Sequence, residues 1–308
     1  MNIQIKMAII AIAVVIPLSS FAVYETKSNQ QIEIIDNSKL QVISSFNPLH
    51  EFSQEVGQER VDATLLVPIG VEPHDWEPTV KDVQQLQKSD LIIINGAGFE
   101  NWIDNLDENN YQGMIVDTSV GIITTKFEQH DEQHDEQHAH ESGDPHIWLN
   151  PLYAKIQVEN IAQGFSKSDP QNEQFYHANA VKYIEKLDLL DSKIRNELSN
   201  CNHDFIAFHD ALSYFADEYD LNQHTIIPSN DPHGEVTAKT LENVIFTAKK
   251  LNIKVIFSEE NASKRTSEII ANEIGGKVLV LSPLEVVSDG TYISKMTKNL
   301  ENLKEALC

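Results

Sequence analysis

Short β-rich runs alternate with helical stretches along residues 40–117 and again along residues 205–281, and this alternation most narrowly limits what the chain can fold into. A strand followed by a helix and a second strand closes most readily into a parallel sheet covered by helices. Strands are predicted at 40–46, 63–68, 91–95 and 114–117, with helices at 48–56, 79–86 and 99–106 between them. Thr79 followed by Asp82 is a capping-box start for one of these helices. The second block repeats the pattern, with strands at 205–208, 225–227, 255–257 and 278–281 and helices near 211–218, 238–251 and 264–274. Gly275 and Gly276 close the last helix with a left-handed cap.

Between the blocks lie a helix at 152–165 and a longer one at 171–198. In the longer one Phe175, Ala178, Val181, Ile184, Leu187, Leu190 and Ile194 recur every three or four positions. The expected architecture is α/β: two lobes with mainly parallel sheets joined by one long rigid helix. Its parts are an N-terminal lobe at 38–170, a linking helix at 171–200 and a C-terminal lobe at 201–308.

Residues 1–6 carry one cation, Lys6, and precede an uncharged apolar run at 7–23 that ends among small residues. This predicts a secretory signal over residues 1–30, either cleaved or kept as an N-terminal membrane anchor. No cysteine lies near residues 18–28, which excludes attachment through a lipidated cysteine. The remainder is expected outside the cytoplasmic membrane, in a periplasm or at a cell surface, as a monomer. The formal charge of −24, with no basic stripe, argues against a nucleic-acid partner and points towards cations. Cys201 and Cys308 are the two cysteines, too few and too far apart for a zinc ribbon or a CxxC motif. In an oxidising compartment they could pair and tie down the C-terminus. Metal chemistry therefore falls to histidine and carboxylate.

Histidine is placed suggestively. Residues 128–142 hold an E-Q-H-D repeat with His130, His134, His138 and His140 among acidic side chains and almost nothing apolar. Such a tract cannot build a core and is expected to be a loop for auxiliary metal capture. His74 lies just after the second predicted strand, His146 immediately before a helix and His209 at the end of a strand, in the loops at strand carboxyl ends where α/β sheets gather ligands. Three imidazoles leave one position of a tetrahedral zinc site for water or a carboxylate, and Glu259, after the third strand of the second lobe, is the candidate. Its other role would be a charge at a helix N-terminus. Asp75 and Asp210 are candidates to orient the imidazoles from behind.

The segments at 70–78, 95–102, 144–151, 207–215 and 259–261, in that order around the acidic histidine-rich insert, resemble the metal-binding solute-binding proteins of ABC transporters. Within the cluster A-I family the resemblance is to the zinc-binding, ZnuA-like branch, and it runs from about residue 41 to residue 307. It implies two α/β lobes linked by a rigid helix, Zn(II) held between them at His74, His146 and His209, and delivery to a permease with a cytoplasmic ATPase. Where the family has Asp-Pro after the last strand this chain has Ser282-Pro283, and His209 stands where manganese and iron branches usually have Glu. Both differences favour zinc and leave the fourth ligand open between water, Glu259 and a loop histidine. Asn150 stands where Asp is commoner, an exchange of one helix cap for another. His233 is expected to be structural or to face the permease.

The expected function is thus an extracytoplasmic zinc receptor for an ABC permease, not an enzyme. The alternatives are a manganese or iron receptor of the same fold, a zinc-buffering surface adhesin, and a zinc hydrolase. Against the last, the chain has no HExxH, no paired metal clusters and no evident general base beyond Glu259.

Overall fold

The computed structural model describes residues 39–106, 111–123, 143–229, 232, 236–260 and 264–308. The expected signal or anchor at 1–30, the four histidines of the 128–142 insert, His233 and Asn261 lie outside the described residues.

The first lobe is built on β1 (Leu40–Ser44), β2 (Val61–Leu65), β3 (Leu91–Ile94) and β4 (Met114–Asp117), paired in parallel in the order β2-β1-β3-β4. The second repeats the pattern with β5 (Asp204–His209), β6 (Asn222–Ile227), β7 (Val255–Ser258) and β8 (Lys277–Val280), in the order β6-β5-β7-β8. In both sheets the order reverses beside the first strand, and ligand crevices open outside such points.

Strands covered on both faces read as continuous apolar runs, as Leu91-Ile92-Ile93-Ile94 does. Their side chains still alternate. Leu91 and Ile93 join the large core shared by both lobes, and Ile92 and Ile94 face a smaller cluster on the other side of the sheet. In β5, Phe205 and Ala207 point into the shared core while Ile206 and Phe208 pack outward.

Helices α1 (Asn47–Gly57), α2 (Val80–Leu86) and α3 (Pro151–Ser168) belong to the first lobe, and α5 (Ser213–Glu218), α6 (Ala238–Lys250), α7 (Lys264–Ile274) and α8 (Tyr292–Leu307) to the second. Between them runs α4 (Glu173–Leu198), 26 residues whose buried side includes Tyr176, Tyr183, Leu187, Leu190 and Ile194. This face packs against α1 and α3 on one side and α8 on the other. Leu187 is fully buried there, so its truncation to Ala would cost about 2–5 kcal/mol. No described helix is long and apolar enough to cross a membrane.

Local expectations were met at several ends. Thr79 and Asp82 form the reciprocal capping box of α2, Asn150 Oδ1 accepts the Leu152 amide at the start of α3, and Gly275 follows α7 at φ 62°. One element differs. Residues 99–106, predicted as a helix, form a turn and a single 3₁₀ segment, Ile103–Asn105. Helical spacing there reflects Phe99, Trp102 and Leu106 all turning inward, while the Glu100 carboxylate is drawn under the preceding loop and bonds its amides. Cys201 and Cys308 are joined in a disulfide, Cα to Cα 4.6 Å, which ties the end of α8 to the segment leading into β5.

Candidate metal centre

His74, His146, His209 and Glu285 converge where the strands of both lobes end, each offering one donor atom, all within 4.8 Å of one another. The first two come from the first lobe and the last two from the second. Four contacts are short: His146 Nε2 to His74 Nε2 3.3 Å, His146 Nε2 to His209 Nε2 3.4 Å, His74 Nε2 to Glu285 Oε1 3.3 Å, and His146 Nε2 to Glu285 Oε1 3.2 Å. Donors placed tetrahedrally at a zinc–ligand distance of about 2.0–2.1 Å stand roughly 3.3–3.4 Å apart. Four of the six donor pairs thus already have that spacing. His146, His209 and Glu285 are buried, and His74, with a tenth of its side chain exposed, forms the outer edge.

Each donor is aimed by its local chain. The ladder beyond β2 continues through the Leu66 and Val67 amides to Ser44 and Ser45, then turns at Pro68 and Pro73 before the α2 cap, which presents His74. The ring of Phe99 meets His74 edge-on at 5.0 Å. His146 follows Asp144, whose Oδ1 receives both the His146 backbone amide (3.0 Å) and its ring at Nδ1 (2.8 Å). Behind it Trp148 packs on the imidazole and donates from Nε1 to the Pro283 carbonyl at 2.8 Å, a link from the first lobe to the loop carrying Glu285. His209 is the last residue of β5, and its Nδ1 lies 2.5 Å from Glu259 Oε1.

The orienting carboxylates are therefore Asp144 and Glu259, which hold Nδ1 and leave Nε2 to face the centre. Asp75 is exposed, and Asp210 instead accepts from Gln223 Nε2 at 2.6 Å. Glu259 stands behind His209 and outside the group of four, so the carboxylate in the fourth place is Glu285. Ser282-Pro283 replaces the family's Asp-Pro after the last strand, and the carboxylate beside the three imidazoles is Glu285, two residues beyond Pro283. Leu284 makes this possible by taking a left-handed turn at φ 62° within the core, directing its neighbour into the cleft. The available signal was an acidic residue between Leu284 and Val286 in an otherwise apolar run.

Electrostatics follow from burial and pairing. Burial lowers the His146 imidazole, but hydrogen bonds and charge from Asp144 and Glu285 outweigh it and push it up to about 10. Burial raises the Glu285 carboxyl, and the charge of His74 with bonds from both imidazoles carries it well below the ordinary range. A further carboxyl, Glu72, is pushed up to about 9 by burial and by the charge of Glu285 beside it. His146 is thus biased towards its charged form and Glu285 towards its ionised form, and the two face each other at 3.2 Å.

Residues 42–306 match the family model described as ZnuA, zinc-uptake complex component A, periplasmic. The chain is 38% identical over 281 residues to the high-affinity zinc uptake system protein ZnuA of Bacillus subtilis strain 168, covering 87% of this chain and 88% of that one. It superposes on a crystal structure of ZnuA with a TM-score of 0.78 at 31% identity, over 88% of this chain and all of the other. It also matches Zn(II)-bound AdcA from Streptococcus pneumoniae, TM-score 0.75 at 31% identity, over 87% of this chain but only 58% of that longer protein.

Proposed function

Since the chain belongs to the ZnuA family of zinc-uptake components, we propose that it captures one Zn(II) ion on His74, His146, His209 and Glu285 and hands it to an ABC permease. It is an extracytoplasmic zinc-binding solute-binding protein of an ABC zinc-uptake system. Zinc is cargo here, and the observation that carries its assignment is the donor set: three imidazoles and one carboxylate, four of whose six separations equal a tetrahedral edge. Such a set suits zinc better than manganese, which favours carboxylate, carbonyl and water oxygens.

A receptor is also a better account than a hydrolase. Catalytic zinc keeps one position open for water, whereas four protein donors close the shell. Because the donors come from both lobes, separating the lobes would halve the shell and release the ion, which is the requirement for delivery. We assign residues 1–30 to export or anchoring, 128–142 to auxiliary capture through His130, His134, His138 and His140, and the working unit to a monomer.

Calorimetric titration of residues 30–308 with zinc and with manganese, repeated on a version lacking 128–140, tests this. One tight zinc site in both versions, with weaker sites only in the longer, is the expected result. Tight binding that disappeared with residues 128–140, or a preference for manganese, would refute the assignment.

A further inference from the structure

Glu100 is buried beneath the cleft, 5% exposed, and has no part in the donor set. Its Oε1 accepts from Ser45 Oγ at 2.6 Å and the Asn95 amide at 2.7 Å, and its Oε2 accepts the Gly96 amide at 3.0 Å. These amides open a segment in which three successive residues are left-handed: Gly96 at φ 76°, Ala97 at 53° and Gly98 at 79°. Any side chain at Gly96 would strike Asp117, and alanine in this region is disfavoured, so the segment needs an external tie.

Two things depend on that tie. Phe99, at the end of the segment, packs edge-on against His74. Asn95, at its start, donates from Nδ2 to the Pro145 carbonyl at 2.8 Å, immediately before His146, while Gln157 Nε2 holds its Oδ1 at 3.0 Å. One buried carboxylate therefore stands behind both first-lobe donors.

We propose that Glu100 is a positioning residue for zinc capture: its ionised carboxylate locks the left-handed segment 96–98, which sets His74 through Phe99 and His146 through Asn95. This rests on the assignment of the four donors as the zinc site. Ionisation matters because each carboxylate oxygen accepts a backbone amide, Asn95 on Oε1 and Gly96 on Oε2, and an N–H cannot accept a proton in return. Burial pushes the Glu100 carboxyl up to about 7, against the hydrogen bonds from Ser45, Asn95 and Gly96, so the lock loosens near neutrality. Around it the residue after β1 is neutral Ser45 and α3 presents neutral Gln157. The titratable groups are Asp117 at the end of β4, bonded to Ser119, then His74 beyond Phe99, and Asp144 and His146 beyond Pro145.

The test is zinc affinity at pH 6, 7 and 8 for the full chain, Glu100→Gln and Ser45→Ala, each first checked for folding without metal. At pH 8 Glu100→Gln should bind roughly 3–10-fold more weakly, below the 10–100-fold typical of groups that touch a ligand directly. Its affinity should converge on the wild type at pH 6, because the amide resembles the protonated acid. Ser45→Ala removes one donor and should move the extra loss of affinity to higher pH, and it carries the test if Glu100→Gln does not fold. Profiles of unchanged shape in both variants, including a uniform weakening at every pH, would overturn the proposal. A wild-type chain that bound no zinc would instead overturn the four-donor site, and the proposal with it.

Discussion

Glu285 Oε1 lies 3.2 Å from His146 Nε2, and the two groups, both buried, come from different lobes. Their contact is the shortest of three that join the halves of the centre, beside His146–His209 at 3.4 Å and His74–Glu285 at 3.3 Å. Replacing Glu285 by Gln keeps the shape but removes the charge that offsets a dication. Zinc affinity should fall by more than the roughly 10–100-fold that follows loss of a group behind a ligand. A competition titration against a chelator measures it, and an unchanged dissociation constant would exclude Glu285 as a ligand.

Proton release should accompany capture. His146 is held protonated up to about 10 by Asp144 and Glu285, and it must be neutral to bind. At pH 8 about one proton per zinc should leave, seen by calorimetry in two buffers of different ionisation enthalpy. For the metal-free protein the sign is that of a raised imidazole. Its stabilisation is complete below the ordinary 6.5 and is lost as pH rises through about 10. Asp144→Asn should reduce the proton count, and a count unaffected by that change would contradict the pairing.

Stability of the metal-free chain should carry the mark of Glu100. A carboxyl raised from 4.5 to about 7 binds its proton more tightly in the folded state, so the wild type loses stability as pH rises across that window. Glu100→Gln has no such titration. Its stability relative to wild type should climb by about 3 kcal/mol between those limits and level off above, whatever the constant offset from altered hydrogen bonds. Urea unfolding at several pH values reads this directly, and a flat difference would place the Glu100 pKa near its ordinary value.

Reduction of the Cys201–Cys308 disulfide should separate stability from binding. The bridge closes a sequence separation of 107 residues, for which chain entropy suggests a loss of about 5 kcal/mol at most. It sits where β5 begins, whereas His209 is where β5 ends. Replacing both cysteines with serine should lower the melting temperature and leave zinc affinity unchanged. A marked loss of affinity would mean that the bridge shapes the cleft.

Much of this was legible along the chain because it depends on neighbours in sequence. Leu91 to Ile94 read as a buried strand, Thr79 and Asp82 as a helix start, and His209 as a strand end. The capping box, the parallel sheets and the three candidate histidines followed from such signals, while the strand order came only from the structure. Residues 99–106 misled, because inward-facing Phe99, Trp102 and Leu106 mimic one helical face while Glu100 is held by amides upstream.

The carboxylates marked the limit. Glu259, Asp75 and Asp210 each stand next to a strand end or a candidate histidine, but nothing in the sequence separates them from Glu285, Asp144 and Glu100, which carry the same charge in other loops. Sequence by itself determined the two α/β lobes, the long helix and three candidate imidazoles, His209 at a strand end and His74 and His146 in loops, through periodicity and residue type acting over short spans. Only the tertiary structure decided which carboxylate completes the centre and which stand behind it. That choice rests on donor separations of 3.2–3.4 Å between residues of different lobes, set by how both sheets pack on one shared core.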